Sequence, residues 1–459
     1  MIDERNYPWL CIVNIPTILT RKNTYLHLAA KTGQTKAFKT ARNEEEDKTI
    51  KNELGETFFH LACKNGHLNI VNLLLKNTAE TDNYDINLNT KTKKGNTAFH
   101  NACQEGHSEV VKMFMEYTFT LCIDLNIRTK KGSTGFHMAC KKGHSEVVKI
   151  FMKYAFILRI DLNTKTKKGS TAFNIACEEG HSDVVMIFME NAGALSIDLN
   201  TKDNYGYTGF YWACHNAHSN VVRILMENAA GLGIDVSIKD NGGCSPFLMT
   251  SISCIEEYDL DVVKLFIEYA STLSIDLNQK NRNGCTAFHM ACGQGKLGVV
   301  KLFMENSTHL SIDLSTKDND GFTPFLTACE RGQMDVVRIL MECAPLLSID
   351  LYTKNKNGNT AFHIACKKGH ANVIKILMEN AAAFSLDLNM KNNDGMTAVH
   401  LAGISGNGDV FKELLMSLTT SVVVKNSDVI KIFMENVGWC QVTPHYQITN
   451  EWIYFEKSY

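Results

Sequence analysis

Gly169-Ser170-Thr171-Ala172-Phe173-Asn174-Ile175-Ala176-Cys177-Glu178-Glu179-Gly180-His181 is one copy of a phrase that recurs, with wear, along the chain. Its Thr, once Ser, falls at Thr24, Thr57, Thr97, Thr134, Thr171, Thr208, Ser245, Thr286, Thr323, Thr360 and Thr397. The gaps are 33, 40, 37, 37, 37, 37, 41, 37, 37 and 37. A period of this length predicts a solenoid, in which each unit buries its apolar face only by stacking on its neighbours. A residue present in most copies is then structural by default. Function is sought where the copies disagree.

Within the quoted copy, Gly169-Ser170 makes a turn and Thr171 is placed to cap a helix from Ala172, where other copies carry Pro246 or Pro324. Phe173, Ile175, Ala176 and Cys177 form a short apolar helix, closed by a left-handed Gly180. Ser182 or Asp183 starts a second helix with Val184, Val185, Phe188 and Met189 on one face. Leu195, Ile197 and Leu199 then alternate with Ser196 and Asp198, a pattern that predicts an extended segment. The polar stretch from Asn200 to Tyr205 leads into Gly206 of the next copy. Each unit reads as helix, turn, helix, extended finger.

The 459 residues carry a formal charge of −2, so no bulk field argues for nucleic acid or a membrane surface. The apolar stretch from Trp9 to Ile15 is short, holds Asn14 and runs into Pro16, unlike a secretory leader. No run approaches the roughly 18 apolar residues of a membrane-spanning helix. We expect a soluble cytoplasmic or nuclear chain without membrane insertion. Of fifteen cysteines, eight (Cys63, Cys103, Cys140, Cys177, Cys214, Cys292, Cys329, Cys366) share one slot of the repeat. Equivalent slots in stacked helices lie about 8–10 Å apart, beyond the roughly 7 Å that a disulfide spans between Cα atoms. They read as reduced, buried small hydrophobes.

These residues resemble the ankyrin repeat. The hallmark turn appears as Thr-Tyr-Leu-His at 24–27, Thr-Phe-Phe-His at 57–60, Thr-Ala-Phe-His at 97–100 and Thr-Ala-Val-His at 397–400. The resemblance covers residues 21–416, in units starting near 22, 55, 95, 132, 169, 206, 243, 284, 321, 358 and 395. It implies an all-α solenoid of antiparallel helix pairs, with hairpin fingers along one edge and a concave binding face. Eleven units at about 10 Å each make one elongated array about 110 Å long. Residues 1–20 form an N-terminal segment, and 417–459 a degenerate cap and tail in which Ser427 to Asn436 copies a second helix. The family unit is about 33 residues, and most units here carry four more, between Met-Glu and Asp-Leu-Asn. Four residues are about one helical turn, so either the second helix or the loop after it is longer. The alternation favours an extended loop.

Sixteen histidines suggest metal or catalytic chemistry. The pairs His60/His67, His100/His107, His137/His144 and His363/His370 are seven apart, about 10 Å of helix rise with a helix cap between. They cannot share a zinc ion that needs nitrogens near 2 Å, and they read as bridges to backbone between units. Gly403 to Gly408 offers glycines for a phosphate but follows no strand. The methionines of the second helices, Met115 to Met378, read as core. No catalytic, metal or cofactor site is expected. The resemblance implies that Asn163, Asn200, Asn278 and Asn389 can be substrates of an asparaginyl hydroxylase.

Three departures between copies are candidate binding features. Finger tips with Lys93 and Lys94, Lys130 and Lys131, Lys167 and Lys168 carry no acid, whereas later tips mix signs, as in Lys202-Asp203. Side by side they predict a basic stripe for an acidic protein partner. Tyr205, Tyr207, Tyr211 and Trp212 form an aromatic run of the residue types enriched at hot spots. We take Tyr205, Tyr207 and Trp212 as contact candidates. The next unit puts Cys254-Ile255 where Gly-His belongs and resumes its second helix at Asp261, which predicts a bulge around 251–259. The reading is a noncatalytic, monomeric protein–protein interaction scaffold. An alternative is a substrate-recruiting adaptor of a ubiquitin ligase, although 417–459 shows no ligase-binding box. An enzyme is disfavoured, because no unique acid, base or nucleophile pair stands out.

Overall fold

A computed structural model of the chain describes residues 24–44, 49–80, 87–253, 260–387, 389–406, 410, 446–449 and 452–455. Residues 1–20, the Cys254-Ile255 break and the Ser427–Asn436 copy lie outside the described residues. The chain divides into two compact units, residues 1–276 and 277–459.

The first unit holds the helix pairs α1 (Tyr25–Thr32) and α2 (Thr35–Glu44), α3 (Phe58–Lys64) and α4 (Leu68–Glu80), α5 (Ala98–Glu105) and α6 (Ser108–Leu121). It continues with α7 (Gly135–Lys142) and α8 (Ser145–Leu158), α9 (Ala172–Glu178) and α10 (Ser182–Asn191). Its last pairs are α11 (Gly209–His215) and α12 (Ser219–Leu232), α13 (Pro246–Ser253) and α14 (Asp261–Tyr269). First helices pack on first helices, and second on second, in sequence order. The second unit repeats the plan with α15 (Ala287–Gln294), α16 (Leu297–Asn306), α17 (Pro324–Arg331), α18 (Met334–Leu347), α19 (Ala361–Lys368), α20 (Ala371–Glu379) and α21 (Ala398–Ser405). It also contains an antiparallel pair that the sequence reading does not anticipate. Strands β1 (Tyr446–Thr449) and β2 (Trp452–Phe455) set Tyr446 opposite Phe455 and Thr449 opposite Trp452.

Burial follows the repeat. Phe99, Phe136 and Phe173 of the first helices interleave with Phe114, Phe151 and Phe188 of the second. Ring centroids are 5.3 Å apart for Phe99–Phe114, 5.8 Å for Phe99–Phe151 and 4.9 Å for Phe136–Phe151. Each ring therefore touches its own unit and the next, the contact that a unit cannot make alone. The eight slot cysteines are buried and free, and burial pushes the Cys63, Cys103 and Cys140 thiols well up. Met115, Met152, Met189, Met226, Met304 and Met341 are buried core, as expected, whereas Met378 is only half-buried.

The four additional residues are not an extended loop. In α6, α8, α12 and α18 they are a further helical turn, ending on a left-handed residue: Cys122 (φ 48°), Arg159 (φ 51°), Gly233 (φ 65°) and Ser348 (φ 52°). Elsewhere the same turn is looser but ends alike, as at Ser196 (φ 51°). The Ile197 N–H donates to Ala192 O at 3.0 Å, the Ile160 N–H to Ala155 O at 2.9 Å and the Ile234 N–H to Ala229 O at 3.0 Å. That is the six-to-one bond of a Schellman ending, whose apolar residue after the left-handed one packs back on the helix. In Leu195-Ser196-Ile197 the serine is the left-handed residue and Ile197 the buried one. Alternation arises from helix termination, without a strand.

Candidate functional site

The repeated histidines settle into the frame. At the start of α5, Thr97 N donates to His100 Nδ1 at 3.2 Å, and the Thr97 hydroxyl meets the same nitrogen at 2.8 Å. With Nδ1 accepting, Nε2 carries the proton and donates to Ser133 O of the next unit at 3.3 Å. The other histidine of the pair points the opposite way: His107 Nε2 bonds Lys64 O of the preceding unit at 2.9 Å. Gly106 (φ 80°) allows the same contact one unit on, since a Cβ there would lie 2.5 Å from His144 Nδ1. Burial pushes His60, His100 and His137 down to about 4, against backbone carbonyls that act in the opposite sense. His60 and His100 are neutral bridges, whereas the buried Nε2 of His137 has no hydrogen-bond partner. Among the described residues no group of three or more His, Cys, Asp or Glu is placed to hold a metal ion.

The fingers are tight hairpin turns. Thr92 N donates to Asn96 O and Gly95 N to Thr92 O, both at 2.9 Å, with the same pair from Thr129 and from Thr166. Consecutive tips are tied by backbone: Lys93 N to Leu54 O at 3.0 Å, Lys130 N to Lys94 O at 3.2 Å, Lys167 N to Lys131 O at 3.0 Å. The ladder continues with Asn204 N to Lys168 O at 3.0 Å and Asn241 N to Tyr205 O at 3.2 Å. Lys93, Lys94, Lys130, Lys131, Lys167 and Lys168 are all exposed, and none forms an ion pair among the described residues. Arg128, Lys165 and Lys202 are different. Arg128 donates to Lys165 O, Lys165 Nζ to Lys202 O at 3.2 Å and Lys202 Nζ to Lys239 O at 2.8 Å, so they are structural cations.

Comparison between fingers separates framework from surface. Where the basic tips have Lys93, Lys130 and Lys167, four later tips place an asparagine that staples the preceding finger, and two others again place a cation, Arg282 and Lys356. Asn204 Nδ2 donates to Lys167 O at 3.1 Å, Asn241 to Asn204 O at 3.0 Å and Asn319 to Arg282 O at 2.8 Å. One position earlier, the carboxylates of Asp203 and Asp240 each accept two N–H groups inside their own hairpins. Thr92 and Thr129 hold that place with a neutral hydroxyl, which accepts Asn96 N at 3.1 Å and Ser133 N at 3.2 Å. The basic fingers lack both the acid and the staple.

The aromatic run follows directly on this ladder. Tyr211 is buried in the slot of the bridging histidine, and its hydroxyl donates to Asp240 of the next finger at 2.8 Å. Tyr207 stacks on it with centroids 4.3 Å apart and planes 7° from parallel. Trp212 stands edge-on to Tyr207 at 5.0 Å, and its indole N–H donates to Asp203 at 3.0 Å. Trp212 and Tyr207 are half-buried inside the cluster, whereas Tyr205, 54 % exposed, faces solvent one finger beyond Lys168. The structure thus brings the six lysines and Tyr205 onto one run of finger tips. It leaves Tyr207 and Trp212 behind Tyr205 as its support.

Three of the four finger asparagines, Asn163, Asn200 and Asn278, are engaged on both sides. Asn163 Nδ2 donates to Ser196 O at 3.0 Å while its Oδ1 accepts Asp198 N at 2.9 Å, and Asn200 and Asn278 repeat the arrangement.

No curated protein matches the chain. A sequence profile described as ankyrin repeats in three copies matches residues 10–85, 26–123, 82–161, 153–240, 248–351 and 342–426. Ankyrin repeats indicate a protein–protein interaction scaffold, and among the described residues no helix is long and apolar enough to cross a membrane. The matched stretch is the one that carries the Thr-x-x-His caps, the Gly-His turns and the interleaved phenylalanines, and the chain belongs to the ankyrin repeat family.

Proposed function

We propose that the array is a noncatalytic scaffold that docks an acidic partner protein through its concave face and fingers, with Lys93, Lys94, Lys130, Lys131, Lys167, Lys168 and Tyr205 as the contact line. One observation carries this reading: in three consecutive fingers exposed lysines stand where four of the later fingers use an amide for a staple. Six unpaired ammonium groups on tips tied together by backbone bonds concentrate positive potential along one edge, in a chain of formal charge −2. Tyr205 adds a rigid aromatic anchor at its end. The noncatalytic reading is supported by the use of the repeated histidines as neutral bridges and of the repeated cysteines as core.

The test uses the full chain and the variant with all six lysines changed to glutamate as baits, with partners identified by mass spectrometry. Capture of an acidic protein by the wild type and its loss from the variant is expected. Its affinity should fall steeply with salt, since exposed charges are screened over about 8–10 Å. The reversals should slow association more than they speed dissociation. Equal capture by both baits in moderate salt would make the stripe ordinary solvated surface.

A further inference from the structure

We propose that the last turns of α6 and α8 form a second docking surface, separate from the fingers, for an amphipathic helix with acidic flanks from a partner protein. Phe119 on α6 is 71 % exposed, and Phe156 and Ile157 on α8 are 86 % and 61 % exposed. Phe119 and Phe156 occupy equivalent positions of two packed neighbours, where the following units place Gly193, Ala230, Ser271 and Thr308. Three large apolar side chains therefore face water at one place, on the turn by which these units exceed the ordinary ankyrin length.

Charge changes at the same place. Lys153 lies one turn before Phe156 and Ile157 on the same face of α8. At its equivalent positions stand Glu116, Glu190, Glu227, Glu268, Glu305, Glu342 and Glu379. Arg159, just past the helix, stands where other units have Ser196, Ser274, Ser311, Ser348 and Ser385. Lys153 and Arg159 are exposed, and neither forms an ion pair among the described residues. Apolar and cationic departures thus coincide in one unit.

The spacing selects the occupant. Equivalent positions on stacked helices are about 8–10 Å apart, and residues seven apart on an α-helix rise about 10.5 Å. A helix lying across α6 and α8 sets apolar residues i and i+7 against Phe119 and Phe156, and its carboxylates against Lys153 and Arg159. An anionic bilayer would meet Glu109 and Glu116 of α6 as well, whereas a helix can set its carboxylates at the α8 end alone, beside Lys153 and Arg159.

A fluorescein-labelled synthetic helix of about 14 residues, with leucines spaced three and four apart and glutamates on both flanks, serves as probe. It should bind the full chain with an affinity that falls about tenfold or more in Phe119→Ser/Phe156→Ser/Ile157→Ser, and likewise in Lys153→Glu/Arg159→Glu. All five sites are exposed, so thermal unfolding should be unchanged and loss of binding is not loss of fold. The six finger reversals should change the probe's affinity by less than about threefold at 0.15 M salt, which separates this surface from the finger reading. The proposal is overturned by no binding, by equal binding of a lysine-flanked probe, by binding indifferent to the serine variant, or by recruitment to phosphatidylserine vesicles in place of the probe.

Discussion

The joint between units is a neutral imidazole, and its chemistry has measurable consequences. His100 caps its own helix through Nδ1 and reaches the next unit through Nε2. Removing it in His100→Ala leaves the carbonyl of Ser133 without that donor and should cost about 1–3 kcal/mol in urea unfolding. Protonation would put a hydrogen on the nitrogen that already accepts Thr97 N, inside a buried site. Burial holds the folded values of His60, His100 and His137 near 4, below the ordinary 6.5. Between those limits the unfolded chain binds protons that the folded chain refuses. Stability should be full above about pH 6.5 and fall as pH drops towards 4, by about 3 kcal/mol per imidazole. The chain supplies its own control. Asn174 sits in the histidine slot, bonds Thr171 Oγ1 at 3.1 Å and donates to Thr201 O at 3.0 Å. His100→Asn should therefore keep most of the stability at neutral pH and reduce the slope over this window. An unchanged slope would mean that His100 titrates normally in the folded chain.

At the scale of the element, the sequence spoke clearly about helix starts and misled about helix ends. Thr caps, Gly-His turns and the Val-Val-x-x-Phe-Met face were legible because capping and amphipathic spacing are local signals. The stretch Leu195 to Leu199 was not legible, because apolar residues on either side of a serine look alike in a strand and in a Schellman ending. The same misreading concealed Phe119 and Phe156, whose exposure depends on a helical turn that an extended loop would not provide. Of the site, the charge of the finger lysines was legible. That Arg128 and Lys165 are structural while Lys130 and Lys167 are free was not, since it depends on which carbonyl lies 37 residues away. The helical ending can be tested at Ser196, which holds φ 51°. A non-glycine residue there costs roughly 1 kcal/mol. Ser196→Gly should raise stability by up to about 0.5–1 kcal/mol, less any gain in unfolded-chain entropy. Destabilisation beyond about 0.5 kcal/mol would speak for an extended backbone instead.

At the scale of the whole chain, both proposed surfaces lie in the first compact unit, residues 1–276, and not in residues 277–459. The same scale governs redox behaviour. The slot cysteines are buried and free, with thiols raised by burial, so a reducing agent should leave the unfolding midpoint unchanged, and a clear drop would reveal a disulfide. Separating the two units gives the sharper test. A fragment of residues 1–276 keeps the six proposed contact lysines, Tyr205 and the α6–α8 face, while 277–459 keeps none of these. The fragment 1–276 should retain the partner's affinity within about threefold and its salt dependence, because exposed charges act over about a Debye length. The fragment 277–459, whose finger tips mix Lys317 with Asp318 and Asp320, should bind at least about tenfold more weakly. If 277–459 alone recovers the full affinity, the lysine stripe is not the docking line, and the site belongs to the units after Leu277.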